Sequence, residues 1–133
     1  DTTARAVAAA YTGTGNPWAT VGLSVHVLRG VNETSPVDVA GYAGPELSGS
    51  TSHTVTGIAT TAPGAMAWFA FATQFVASPV AAGAGWGTAS TRNFDGSMVT
   101  GYKTPGSAST GDVTVTLSSV ETGIPMMIAL APR

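Results

Sequence analysis

Two histidines, His26 and His53, are the only imidazoles of the chain, so any histidine-based catalysis or zinc site would have to use them. His26 stands at a polar position of an alternating apolar run, where a side chain faces solvent or a neighbouring strand. His53 follows a segment rich in Ser and Thr, where a capping or turn role is expected. Neither histidine lies beside a cluster of carboxylates, and the chain has no cysteine, so no zinc site is predicted.

Oxygen ligands for a cation are sparse along the chain. Asn93, Asp95 and Asp112 could converge on calcium, which prefers carboxylate and amide oxygens. The dipeptide Asp95-Gly96, however, is a strong hairpin signal and accounts for the first two residues without an ion. The seven acidic residues are scattered singly, which disfavours the paired carboxylates of a glycosidase. We therefore predict no metal site and no cofactor.

Signatures of nucleophilic or phosphate chemistry are also missing from the sequence. The serines form no Gly-x-Ser-x-Gly motif. The glycine-rich stretch Gly83–Gly87 is not followed by a helical pattern, which a phosphate-binding loop needs. Asn32-Glu33-Thr34 matches a glycosylation sequon, and we interpret it as a turn. The sequence thus predicts a protein that is not an enzyme and has no catalytic residue.

Three aromatic residues, Trp18, Trp86 and Tyr102, raise the possibility of sugar binding, because exposed aromatic rings stack on sugar rings. Trp86 lies between glycines, where it either closes one end of the core or is presented to a ligand. We favour the first interpretation. An exposed platform of Trp86 and Tyr102 would instead indicate a carbohydrate-binding module.

The composition indicates one compact domain, residues 1–133, with a surface poor in charge. Hydrophobic residues make up 44% of the chain and charged residues 9%, against about 25% in ordinary proteins. A net charge of −2 without a Lys/Arg cluster gives no basis for binding nucleic acid. The longest apolar run, Ala65–Ala72, is far shorter than the ~20 residues of a membrane-spanning helix. Uncharged faces can be covered by a neighbour at little desolvation cost, which favours packed assembly.

The elements that would position these residues are strands. Trp18–Arg29 alternates, and the alternation predicts a strand with inward aliphatic side chains at positions 21, 23, 25 and 27. Asp1–Tyr11 fits a short helix or an edge strand, and we favour the strand; residues 1–16 would form an arm. Leu47–Ser52 is predicted as a loop, and Asn93–Gly96 as a hairpin turn. Further strands are predicted at Val37–Tyr42, Thr54–Ala59, Gly64–Phe75, Ser97–Tyr102, Asp112–Ser118 and Ile124–Ala131.

The run Gly64–Phe75 is apolar on both faces, with Met66 and Trp68 on one side and Phe69, Phe71 and Phe75 on the other. Four aromatics in eight positions favour a strand over a helix. Such a strand is central in the fold or carries one face into an interface. Eight or nine short strands at regular spacing predict an all-β antiparallel sandwich of jelly-roll type.

Several short motifs, taken in order, resemble a β-sandwich domain that recurs in phage virion proteins and in bacterial secreted proteins. The first are Arg29-Gly30-Val31 and Pro36-Val37-Asp38, which resemble a corner between two strands of that family. The resemblance covers about residues 20–132. It continues through the strand from His53, Gly64-Ala65, Gly85-Trp86, Met98–Lys103, Gly111–Leu117 and Ile128–Pro132.

Two departures from the family are visible. Leu28 stands where the family usually has an aromatic residue, and Asp1–Tyr11 is a poor substitute for the family's extra N-terminal strands. The chain would then be a shortened version, or a neighbouring subunit would supply the missing strands by β-augmentation.

The resemblance implies a structural role. We expect a subunit of a phage or phage-like particle (minor tail, fibre, spike or decoration protein), exposed on the virion and acting by assembly. Its partners would be copies of itself or other virion proteins, with attachment to a host surface glycan as an option. The alternative is an extracellular carbohydrate-binding or adhesion module of a secreted bacterial protein.

Overall fold

The structure, a computed structural model, describes residues 25–43, 47–75, 80–82, 85–93, 96–104 and 108–133. Within these ranges the fold is all-β and contains no helix. The predicted arm of residues 1–16 and the first part of the predicted strand Trp18–Arg29 lie outside the described residues. Seven strands form one antiparallel sheet: β1 Val37–Ala43, β2 Leu47–Val55, β3 Met66–Thr73, β4 Val80–Ala82, β5 Gly87–Asn93, β6 Ser97–Lys103 and β7 Val113–Leu130.

The long strand β7 organises the sheet. β1 and then β2 pair along one of its edges, and β3 and then β4 pair along the other. β6 pairs with β3, and β5 pairs with β6. The prediction of two separate strands, Asp112–Ser118 and Ile124–Ala131, is wrong because β7 runs through both. Its middle remains a strand because β2 pairs there as well, with Ser50 opposite Glu121 and Leu47 opposite Gly123.

The core lies on one face of this sheet. Odd-numbered residues of β7 are buried in its two halves, from Val113 to Leu117 and from Gly123 to Ala129, whereas Ser119 and Glu121 between them are half-buried. An extended strand of 18 residues would span about 60 Å, so side chains from its two ends share one cluster only because the sheet curves. That buried cluster consists of Val55, Phe69, Phe71, Val99, Val113, Val115, Leu117 and Met127.

β3 is a central strand, as its pattern predicts. It lies between β7 and β6, with Phe69 and Phe71 fully buried on the core side and Trp68 on the opposite side. Phe75 does not continue the inward row, because β3 ends at Thr73 and Phe75 is 56% exposed.

Two turns agree with their sequence signals. The amide of Ala65 donates to the carbonyl of Ala62 at 3.1 Å, and Gly64 between them has a φ of 78°. Proline followed by a glycine with positive φ is typical of a type II turn. The predicted hairpin around Asp95-Gly96 is confirmed by the pairing of Asn93 with Ser97 across β5 and β6.

The predictions for residues 47–59 are wrong. Leu47–Ser52 is not a loop but the first part of β2, because its backbone pairs with β7. The strand predicted at Thr54–Ala59 ends at Val55, and Ala59 forms only an isolated bridge with Ser109. Small polar residues suited to a loop also suit a solvent-facing strand, so pairing with β7 decides the outcome.

The corner at residues 29–38 is fastened to the end of the chain. Val31 bridges Pro132, the amide of Asn32 donates to Ala131, and the amide of Arg133 donates to Gly30. Asn32 Oδ1 accepts the amides of Thr34 and Ser35 at 2.9 and 3.0 Å, which places the sequon in a turn, as expected.

Candidate functional site

The side of the sheet opposite the core is apolar and only partly covered. We call it the outer face. In register it consists of three rows across β7, β3 and β6. These rows are Ile128–Trp68–Tyr102, Met126–Ala70–Thr100 and Ile124–Ala72–Met98.

Residues 25–28, the covering segment, lie over one end of the outer face. The ring of His26 packs on Trp68 with centroids 4.2 Å apart, and its Nε2 lies 3.2 Å from the hydroxyl of Thr100. Thr100 is buried as a result, with 3% of its surface exposed. The covering segment contacts the sheet through side chains and is not itself a strand.

The predicted orientation of the covering segment is wrong. The alternation predicts that Val25 and Val27 point inward, but they are 53% and 87% exposed, while His26 points to the sheet. The imidazole is favoured at the sheet because it packs on the aromatic ring of Trp68 and also meets a hydroxyl, which an aliphatic side chain cannot do.

A shallow groove of about 230 Å³ lies between the covering segment and the sheet. Tyr102 forms its outer wall and is 47% exposed. Its ring is nearly parallel to that of Trp68, with an angle of 11° and centroids 6.3 Å apart. The other lining residues are His26, Val27, Leu28 and Met66.

The other end of the outer face is open. Ile124 is 58% and Met126 41% exposed, and both flank the small side chains of Ala70 and Ala72. The three rows of the outer face contain no charged residue. Surfaces of this kind mark interaction sites more often than solvated surface.

Trp86 lies on the core side and not on the outer face. Its ring meets Phe69 edge-on at 5.3 Å, and its Nε1 donates to the carbonyl of Asp112 at 3.2 Å. Lys103 stands 5.7 Å from the ring centroid and donates to the carbonyl of Thr110. Trp86 therefore closes one end of the core, as the favoured interpretation states. A shared platform of Trp86 and Tyr102 is excluded because the two rings lie on opposite faces.

His53 has a structural role inside β2 and does not cap a turn, contrary to the prediction. It is 4% exposed and packs against Phe71, with ring centroids 5.0 Å apart. Its Nε2 lies 3.1 Å from the carbonyl oxygen of Ser50 and 2.9 Å from that of Glu121. Because both partners can only accept, Nε2 carries the proton and donates to both. His53 thereby ties β2 to the middle of β7.

The residues considered for calcium are not brought together as a described site. Asp112 uses Oδ1 to accept the amide of Gly57 at 2.8 Å. Asp95 and the side chain of Asn93 lie outside what the structure describes. Among the described residues, no group of three or more His, Asp or Glu side chains could hold a metal ion.

The carboxylate of Asp38 holds the loop before β3. It accepts the hydroxyl of Thr61, and it also accepts the amides of Thr61 and Ala62 at 2.8 and 3.0 Å. The hydroxyl of Thr61 is the main cause that lowers the pKa of Asp38 below its ordinary value of 3.8, and the two amides act in the same direction. The motif Pro36-Val37-Asp38 thus fixes the loop before β3.

The comparisons with known proteins give no relative. No protein-family model, no curated protein and no solved structure matches the chain. The described part of the chain also contains no helix long and apolar enough to cross a membrane. The outer face is therefore the candidate functional site on physical grounds alone. The sequence predicted that β3 is central or carries one face into an interface, but it did not single out Ile124 and Met126. The available signal was the run Ile124–Met127, which is apolar at every position and therefore on both faces of the strand.

Proposed function

We propose that this chain is a non-enzymatic structural subunit of a phage or phage-like particle, built as a β-sandwich and acting by assembly on the virion surface. The observation that supports assembly is the open end of the outer face. Ile124 and Met126 remain 58% and 41% exposed there, beside two alanines and in rows that contain no charged residue.

The free energy of burying apolar surface favours a neighbour on this face. Burying apolar surface contributes about 25 cal/mol per Å², and no ion has to be stripped of water on the outer face. A chain with 9% charged residues has few other means to make a specific surface contact. Shape complementarity between uncharged sheet faces is therefore the mechanism we assign to it.

The assignment to a virion is supported by the resemblance of the corner at Arg29-Gly30-Val31 and Pro36-Val37-Asp38. These residues fasten the end of the chain and the loop before β3. They are structural elements, which is the role the resemblance implies for them.

Two measurements test this function. Light scattering coupled to size-exclusion chromatography should give a mass above 13.2 kDa that rises with concentration. Mass spectrometry of particles sedimented from the native source should find peptides of this chain in the particle fraction. A stable monomer at every concentration that is absent from sedimented particles would refute the proposal.

A carbohydrate-binding or adhesion module is the second candidate, and Tyr102 favours it. Its ring is 47% exposed and nearly parallel to Trp68, a geometry on which a sugar ring can stack. A glycan array should then give a signal that Tyr102→Ala abolishes and Phe75→Ala retains, because Phe75 is also exposed but lies outside the groove. An array without signal would remove this candidate.

A further inference from the structure

We propose that the outer face binds a second copy of the same chain, related by a two-fold axis that runs across the strands. In this pair the covering segment of each copy rests on the open end of its partner. The inference rests on the proposed assembly function and names the surface and the partner that it uses.

The outer face has a stepped shape. Residues 25–28 lie on top of Trp68 and Thr100 and raise one half of the face by the thickness of a chain. The other half, around Ala70 and Ala72, remains low. A two-fold axis across the strands brings the raised half of one copy over the low half of the other, so the shape is complementary to itself.

In this pair, exposed side chains of the raised half would meet exposed side chains of the low half. The raised half presents Val25 and Val27 to solvent, with 53% and 87% of their surfaces exposed. The low half presents Ile124 and Met126. Both sets are aliphatic, and the pairing covers both of them. It thereby explains why an alternating apolar segment points its polar residue inward and its valines outward.

Charge supports a copy of the same chain as the occupant. The rows of the outer face and residues 25–28 contain no Asp, Glu, Lys or Arg. A charged partner surface would lose its hydration here without gaining a counter-charge, whereas an identical uncharged face would lose little.

The area of the outer face suits a weak pair. Seven residues along the three strands β7, β3 and β6 give a footprint of about 340 Å² per copy. A pair would then bury about 700 Å², below the ~1,000 Å² that a stable specific interface needs. The association should therefore be reversible and depend on concentration.

Charge insertion tests the surface. Ile124→Lys and Val27→Lys change side chains that are already exposed in the single chain, so folding should be retained. We expect each to raise the dissociation constant of the pair about 30-fold or more in a light-scattering concentration series. Thr116→Lys is the matched control: it lies on β7, is exposed and is outside the outer face, so it should leave the constant unchanged.

Disulfide cross-linking tests the orientation of the two copies. Because the chain has no native cysteine, every disulfide must join introduced cysteines. Val27→Cys and Ile124→Cys are purified separately, mixed and oxidised, so that a mixed disulfide can only join two chains. We expect covalent dimers from this mixture above the level given by either variant alone. A mixture of Thr116→Cys with Ile124→Cys should give none above that level.

The outcomes separate this inference from the proposed function. An oligomer that survives Ile124→Lys and Val27→Lys, without the mixed cross-link, would overturn the inference and leave assembly through another surface. A wild-type monomer at every concentration would overturn both. A monomer in which the thiol of the Ile124→Cys variant is also shielded from a water-soluble maleimide would mean that another part of the same chain covers the face, which equally overturns the inference.

Discussion

Gly123 lies in the middle of β7 beneath the ring of Phe71, and replacing it with alanine should destabilise the fold. A Cβ at position 123 would stand 2.7 and 2.8 Å from the two Cε atoms of that ring, and it would be closer still to Cζ. Phe71 is fully buried in the core cluster, so the ring has no free space into which it can move.

The expected loss follows from two opposing effects. Forcing an extra methyl group into a packed core costs about 1–3 kcal/mol. Alanine also restricts the unfolded chain, which returns about 0.4–1 kcal/mol. The net loss should be about 1–2 kcal/mol in the free energy of unfolding. For a chain of 133 residues this lowers the melting temperature by about 4–8 °C.

A double-mutant cycle with Phe71→Leu makes the test specific. The shorter side chain removes the ring atoms that the methyl group would strike, so Gly123→Ala should cost less in that background, with a coupling of about 1 kcal/mol or more. Gly101 provides the contrast. A Cβ there would meet the ring of Phe69 and also the carbonyl oxygen of Gly87 at 2.5 Å, so Phe69→Leu should rescue Gly101→Ala only in part.

Urea denaturation followed by circular dichroism measures each free energy, and Gly49→Ala is the control because its Cβ would have only an ordinary contact with Val120 at 3.4 Å. If Gly123→Ala is neutral, or if its cost is unchanged by Phe71→Leu, the reasoning about this contact is refuted.

Three further predictions concern single polar contacts. Trp86→Phe removes the hydrogen bond to the carbonyl of Asp112 and should lower stability by about 0.5–1.5 kcal/mol in urea; an unchanged midpoint would refute the contact. His53→Leu removes the donor shared by the carbonyls of Ser50 and Glu121 and should cost about 1–3 kcal/mol, and an equally stable variant would contradict the shared bond. Asp38→Asn should be less stable than wild type at neutral pH, because the lowered pKa of Asp38 contributes stability above its ordinary value of 3.8. That difference should shrink as the pH falls through the lower folded pKa, whereas Glu33→Gln, whose ion pair with Arg133 is exposed, should show little difference at any pH; a difference for Asp38→Asn that is the same in acid as at neutral pH would refute the linkage.

Local sequence patterns predicted the strands and turns whose own residues carry the signal. β3 and the hairpin at Asp95-Gly96 that leads into β6 were predictable, because buried aromatics in β3 and a turn dipeptide carry the signal within the element. β2 was not, because Leu47–Ser52 becomes a strand only through its pairing with β7. The continuity of β7 could not be predicted either, because its middle also depends on pairing with β2.

His26 illustrates the deeper limit of reading a period-2 pattern. The alternation of residues 25–28 identifies two faces, but it cannot say which face meets the protein. Hydrophobicity assigned the valines to the interior, whereas a ring contact with Trp68 and a hydroxyl on Thr100 assigned the imidazole to it. Both partners lie on distant strands, so no pattern within the segment could have revealed them.

The two faces of β3 differ because the topology covers only one of them. β3 pairs with the part of β7 that begins at Gly123. On the N-terminal side of Gly123, β7 curves, so that Val113, Val115 and Leu117 share a cluster with Phe69 and Phe71. On the outer face, residues 25–28 contact Trp68 and Thr100 and line the adjoining groove. The strand β3 is apolar on both faces, and it is therefore fully buried on one face and only partly covered on the other. Ile124 and Met126 leave an exposed apolar surface at the half-covered end, which lowers solubility and gives an isolated chain no gain in stability. In the proposed pair, a second copy turned by a two-fold axis would remove that cost, because it would supply the valines that the first copy also leaves exposed.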